Sequence, residues 1–341
     1  MSHNEIISHY KQTSKRFIAE FEPQSFIQII FPHQNTDWHD YLDETKQTFV
    51  NIVQAISRYE KCVIICNSVE QIKQNFANKT NLKFIQYETD DTWARDCSAI
   101  SVLDNGRIKL LNFKFNGWGG KFDASKDDKM SESIADFYEN EMINIDFILE
   151  GGGIEGNAEG LLLTTSRCML NRNKNFDKNS TTQFLKSTFG ACDILYLDHG
   201  YLVGDDTDSH IDTLARFVDK KTIMYVTCKD EKDKHYNELK QMQNQLTTFA
   251  SKYNLNLIPL PMPEAIYYDN ERLPATYANF LMINSAVLVP VYNVKQDHEA
   301  VKIFKNFFLN RDIVPIDCSV LIRQHGSLHC VSMQFAKTVS L

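Results

Sequence analysis

Apolar and polar positions along this chain separate strands from helices before any chemistry is considered. Residues 26–31, Phe-Ile-Gln-Ile-Ile-Phe, form a β-type run stopped by Pro32 and His33. Beyond it Phe49, Ile52, Val53 and Ile56 recur at three- and four-residue spacings, which predicts an amphipathic helix over 38–59. A buried strand over 62–66, a helix over 68–77 and a strand over 82–87 follow. Further strands are expected at 108–115, 145–149, 160–165, 194–197, 222–226 and 255–260, with one or two more in 280–292 and the last at 313–318. Helices are expected at 131–140, 181–188, through Leu239, Met242, Leu246 and Phe249, and at 297–309. Strand and helix alternate, so the expected class is α/β. The stretch 123–132 reads as a solvated, charged connection and 259–263 as a turn-rich linker. No long linker divides the chain, and a single domain over 1–341 is expected. An apolar strand ending in a polar cluster recurs at 84–96, 145–155, 193–212, 278–293 and 313–330, at the irregular intervals of diverged internal repeats.

Composition narrows the partners. A chain of 341 residues, 43% hydrophobic, can bury a large core. Its 36 Lys+Arg against 44 Asp+Glu give a net charge of −8, which disfavours a nucleic-acid partner and suits a cationic small molecule. Eight cysteines without a Cys-x-x-Cys pair argue against a disulfide scaffold and a structural zinc site. Residues 1–17 hold no apolar segment of the secretory kind. The longest apolar stretch, 285–292, is broken by Pro290 and too short to span a bilayer. The expectation is a reduced, cytoplasmic protein that does not enter membranes.

Four polar clusters carry the candidate chemistry. Residues 204–217 hold Asp205, Asp206, Asp208, Asp212, His210 and Arg216; in an extended segment His210 and Asp212 would share a face. Asp90, Asp91 and Asp96 surround Trp93, a grouping that an acidic turn would also produce. Glu150 precedes Gly151-Gly152-Gly153, which lacks both the Gly-x-Gly-x-x-Gly spacing and a Walker lysine, so the glycines are read as admitting close backbone approach to what Glu150 faces. Cys330 ends the string Gly326-Ser327-Leu328-His329-Cys330, which is not a Gly-x-Ser-x-Gly nucleophile elbow. Its polar flanks set it apart from the other seven cysteines, which read as small buried hydrophobes. His210, Asp212, His329 and Cys330 could ligate a metal, but their spacing does not support it, and as strand neighbours His329 and Cys330 would face opposite ways. If the clusters converge, two carboxylates in one pocket require a cation between them. A guanidinium fits as a planar fork. So held, its central carbon is open to the Cys330 thiolate, which the cation favours, and His210 can pass a proton to departing ammonia.

Thr92-Trp93-Ala94-Arg95-Asp96, Glu150-Gly151-Gly152-Gly153 with Leu163-Thr164-Thr165, Asp208-Ser209-His210-Ile211-Asp212 and Gly326-Ser327-Leu328-His329-Cys330 stand in the order of the agmatine deiminase family, which the chain resembles over nearly its whole length. Ala19-Glu20-Phe21-Glu22-Pro23, Asn171-Arg172-Asn173-Lys174-Asn175 and Tyr277-Ala278-Asn279-Phe280 resemble its lesser motifs. The resemblance implies a pseudo-fivefold α/β propeller of ββαβ-like repeats. It implies Cys330 as nucleophile, His210 as general acid/base, Asp96 and Asp212 as guanidinium ligands, and Glu150 orienting His210 or touching a substrate nitrogen. Trp93, with Asp90, Asp91 and Gly326, is assigned to substrate binding. No cofactor and no metal are implied, and a homodimer is. Ser98-Ala99, Asn157-Ala158 and Gln324-His325 depart from the family pattern, in loops that choose the substrate tail. Agmatine is the expected substrate; free or peptidyl arginine, or silent polyamine binding, stay open.

Overall fold

The computed structural model describes residues 14–341, so most of the polar 1–17 stretch lies outside the described residues. Five sheets of three or four strands and one two-stranded ribbon, Tyr267–Tyr268 with Glu271–Arg272, make up the β structure among the described residues. One connection recurs in all five sheets: an antiparallel pair, a helix, and a strand that returns parallel to the second member of the pair.

Ile100–Asp104 and Arg107–Lys114 are followed by helix Asp127–Ser133 and strand Met142–Ile148. Glu155–Gly156 and Leu161–Thr165 lead through helix Lys178–Phe189 to Asp193–Leu197. Ala215–Phe217 and Thr222–Thr227 lead through helix Tyr236–Tyr253 to Asn256–Pro261. Leu281–Ile283 and Ala286–Val291 lead through helix Gln296–Phe307 to Asp312–Asp317. The fifth unit crosses the ends of the chain: Ser332–Ala336 pairs antiparallel with Gln24–Ile30, and after helix Leu42–Ser57 strand Lys61–Cys66 returns parallel to it. The architecture is mixed α/β.

Burial explains why these elements form. Cys62 to Cys66 are all buried, as a parallel strand covered on both faces requires, hence the unbroken apolar run. Phe49, Ile52, Val53 and Ile56 lie at 0% exposure, one stripe of an amphipathic helix facing the core.

Several expectations need correction. The charged stretch 123–132 is not a solvated connection: it contains helix Asp127–Ser133, with Asp127, Met130 and Ser131 buried. The proposed helix over 68–77 contracts to Val69–Lys73. Pro259 and Pro261 belong to strand Asn256–Pro261 rather than a linker. That strand lies at the edge of its sheet, where a residue without an N–H is tolerated. Strand Asp312–Asp317 is followed by another, Ser332–Ala336, and short strands Lys15–Phe17 and Ile100–Asp104 had no clear periodic signal. Among the described residues no helix is long and apolar enough to cross a membrane.

Candidate active site

Each of the five units, or the turn entering it, sends a polar group to one place. Asp96 sits on the helical turn Ala94–Cys97, Glu150 just past strand Met142–Ile148, and Asp212 on the 3-10 turn Ile211–Thr213. Asn279 precedes Leu281–Ile283, and Cys330 precedes Ser332–Ala336. His210 and Asp212 are not in an extended segment. Asp208 and Ser209 take positive φ of 63° and 66°, and the chain then coils into the 3-10 turn that His210 caps. The Asp205 carboxylate holds this bend, accepting the Ser209 N–H at 2.7 Å and the Thr207 hydroxyl. His329 and Cys330 likewise lie in a turn, so the opposite-face argument for strand neighbours does not apply. Both reach Asp212: its Oδ2 lies 2.7 Å from His329 Nδ1 and 3.8 Å from Cys330 Sγ.

The buried groups interlock. Asp96 accepts the Trp118 indole N–H at 2.9 Å and the Gly152 N–H at 3.0 Å, and its Oδ1 stands 3.7 Å from His210 Nδ1. On the other side of the imidazole, Nε2 is 3.8 Å from Glu150 Oε2. A Cβ on Gly152 would lie 2.7 Å from His210 Nδ1 and 2.9 Å from Asp96 Oδ1, which is why the chain needs glycine beside Glu150. Asn279 Nδ2 donates to Cys330 Sγ at 3.3 Å. Asp212 Oδ1 is buried without a hydrogen-bond partner.

Electrostatics divides these acids. Burial raises the Asp96 carboxyl, and the like charges of Asp212 and Glu150 add to this against the opposing His210 and Trp118. Burial would also raise Asp212, but the His329 hydrogen bond and the charges of His329, His210 and Arg216 outweigh it and hold that carboxylate low. Burial opposes the His210 imidazolium, and the neighbouring Asp96, Cys168 and Glu150 more than restore it. Cys330 is pushed well up by burial and by Asp212 and Asp96, so its thiolate needs a cation beside it.

A cavity of about 270 Å³ opens above Cys330. Trp93, Asp90, Asp91, Asp96 and Gly326 line it, while His210, Asp212 and Glu150 stand behind its wall. Trp93 donates its indole N–H to Asp91 Oδ2 at 2.9 Å, and a Cβ on Gly326 would collide with the Trp93 ring. Asp90 is partly committed elsewhere: its Oδ2 accepts the Lys126 N–H at 2.7 Å. Sequence reasoning did not single out Trp118 or Asp127, left Asp206 unassigned within its polar cluster and named His325 only as a departure from the family pattern, though all four face the cavity, and it did not pair Asn279 with Cys330 or His329 with Asp212. The only signals were a tryptophan in a glycine-rich loop, an acid in a charge run, and the Asn279 motif.

Glu150, Cys168 and His210 bring ligand atoms within 4.8 Å of one another, a different set from the one considered for a metal. Glu150 Oε1 already meets Arg172 Nε at 2.6 Å, so a guanidinium occupies the cationic role there.

An acid-lined cavity with a buried thiol at its base and an imidazole between carboxylates suits thiol attack on a cationic amidine carbon, and the chain's relatives place it among hydrolases acting on C–N bonds of such groups. The chain belongs to the Porphyromonas-type peptidyl-arginine deiminase family, whose pattern matches residues 16–335. Agmatine deiminase of Stutzerimonas stutzeri (strain A1501) is 28% identical over 347 residues, covering 93% of this chain and 94% of that protein. A cysteine-to-serine variant of C. jejuni agmatine deiminase, solved with substrate bound, is 39% identical with a TM-score of 0.91, covering 95% of this chain and 97% of that one. A Porphyromonas gingivalis chain described as a candidate arginine deiminase is 41% identical with a TM-score of 0.92, covering 96% and 100%.

Proposed function

We propose that this protein is an agmatine deiminase, hydrolysing agmatine to N-carbamoylputrescine and ammonia. The observation that carries the choice of substrate is the cavity wall: among the described residues seven aspartates line it, at 37, 90, 91, 96, 123, 127 and 206, and no lysine or arginine does. An ammonium at the end of a diamine-like tail draws the raised Asp91 and Asp127 carboxyls into their charged form, whereas the α-carboxylate of arginine finds acids and no cationic partner in such a wall. His325, the one lining side chain among the described residues that could carry a positive charge, is turned to the Gly204 carbonyl at 2.7 Å. The second reading, a deiminase for arginine at a peptide position, is favoured by the family description, since a blocked arginine carries no free carboxylate.

In the reaction proposed, Asp96 and Asp212 hold the guanidinium, and its charge draws Cys330 into the thiolate form. Sulfur bonds to the guanidinium carbon, and the C–N bond to one terminal nitrogen breaks as His210 delivers a proton, releasing ammonia. His210 then takes a proton from water as it attacks the amidino carbon. The C–S bond breaks, and the ureido product leaves with the thiolate restored. Glu150 keeps His210 oriented, and Trp93 with Asp90, Asp91 and Gly326 frames the substrate.

The same reading takes 1–341 as one catalytic domain and arranges the five ββαβ units as a pseudo-fivefold propeller about the site, supported by each unit contributing one polar segment. A homodimer without cofactor or metal completes it on the strength of the family resemblance, and a cytoplasmic setting without nucleic acid on the strength of the cysteine usage and the net charge of −8. Ammonia release from agmatine is the test. Wild type should release it, and Cys330→Ala should abolish turnover with the fold intact by circular dichroism. No release by wild type, or near-normal release by Cys330→Ala, overturns the reading.

A further inference from the structure

Arg172 ends helix Ser166–Arg172, and its buried side chain, 2% exposed, reaches two separate parts of the site. Nε donates to Glu150 Oε1 at 2.6 Å. Nη1 donates to Asp208 Oδ2 at 2.6 Å and Nη2 to the Thr207 carbonyl at 2.7 Å. All three nitrogens of one planar fork are thus committed, two of them to the bend that precedes His210. That bend is strained, with Asp208 and Ser209 both in the left-handed region. The other end of the same helix grips it too, because the Thr165 hydroxyl donates to the Ser209 carbonyl at 2.8 Å while accepting the Cys168 N–H.

We propose that Arg172 is a positioning residue that fixes the distance between Glu150 and the 207–209 bend, and thereby sets His210 between Glu150 and Asp96. This rests on the deiminase reading given above. Arg172 neither lines the cavity nor touches Cys330, and of the groups it holds only Thr207, bonded through its backbone carbonyl, lines the cavity, so its main effect passes through Glu150 and His210. Four features argue for a clamp rather than an ordinary buried ion pair: the charge is met on two separate chain segments, Glu150 lying 22 residues before Arg172 and Asp208 lying 36 residues after it; the fork geometry suits several acceptors at fixed angles; the bend it holds is strained; and the imidazole it serves has no hydrogen bond of its own, standing 3.7 Å and 3.8 Å from its two carboxylates. An imidazole so loosely held keeps its place only if both neighbours keep theirs.

The clamp also bears on charge. Groups facing Glu150 are Arg172, His210 and Cys168, with Asp96 beyond the imidazole. Burial raises the Glu150 carboxyl, and His210 and Arg172 outweigh it and hold it low. Removing the guanidinium therefore raises Glu150 and moves the acid limb of the kcat/KM profile to higher pH.

Steady-state kinetics on agmatine tests this. Arg172→Met should lower kcat by about 10²-fold, the scale of a displacement near 1 Å in a catalytic group, with KM changed little and the acid limb shifted upward. Arg172→Lys keeps the charge but cannot span Glu150 and both loop acceptors, so it should return the acid limb toward wild type while kcat stays low. Wild-type kcat in either variant, a loss confined to KM, or a loss matching only the unfolded fraction overturns the proposal. Should Arg172→Met not fold, Arg172→Lys decides alone by the same criteria. Absence of ammonia from wild type would overturn the deiminase reading; wild-type turnover with unaltered variants overturns only the clamp.

Discussion

Ser209 pays twice for its place beside His210. Its φ of 66° lies in a region that costs a non-glycine residue roughly 1–2 kcal/mol. Its hydroxyl is also buried without a partner. Ser209→Gly removes both penalties and leaves the Thr165 bond to the Ser209 carbonyl available, so it should raise unfolding free energy by about 1 kcal/mol. Urea denaturation checks this; an unchanged or lowered midpoint contradicts it. At this scale the chain was readable where residue type alone marks chemistry: Cys330 in a polar string, His210 among aspartates, and Glu150 before three glycines. What could not be read were partners brought by folding. His329 meets Asp212 across 117 residues and Asn279 meets Cys330 across 51, and no local periodicity encodes such pairs.

Strand Ala215–Phe217 is three residues long, yet it carries a fully buried arginine. Arg216 pairs with Glu155 of the neighbouring unit, bonds the Phe280 carbonyl of the next, and lies 3.0 Å from Glu20 Oε2. Arg216→Met would strand Glu155 in the interior and leave Glu20 with only Arg95 and His329 of its charged partners, and loss of one partner from a buried ion network costs about 3–5 kcal/mol. A fall in thermal midpoint of the purified variant is expected, and an unchanged midpoint contradicts it. Elements were legible when their own sequence paid for burial, as in the Phe49 to Ile56 stripe. Strands Lys15–Phe17 and Ser332–Ala336 were not, because their pairing energy comes from distant partners. The helix within 123–132 was hidden for another reason: Asp127 is buried in order to accept the Asp90 and Asp91 N–H groups, a demand of the cavity wall rather than of the helix.

Across the molecule the aspartates of the cavity act together. Burial, with Asp37 and Asp127 nearby, raises Asp91 to about 8, and burial with Asp90 raises Asp127 to about 7. Folded pKa values above the unfolded value near 3.9 mean that the folded chain holds more protons between about pH 4 and 8. Their contribution to stability is therefore full below about pH 4 and is lost as pH rises through about 7 to 8. In Asp91→Asn the decline of stability across that window should be shallower than in wild type; a parallel curve from pH-dependent denaturation contradicts this. The same wall that repels its own charges should welcome a cationic substrate tail, and that is the heart of the account. The ratio of kcat/KM for agmatine to that for free arginine, with a blocked arginine peptide alongside, measures it directly. Agmatine should be favoured over arginine by about 10²-fold or more, the penalty of several kcal/mol for a carboxylate against like charge, and over the peptide as well; comparable or better turnover of either arginine substrate would contradict it.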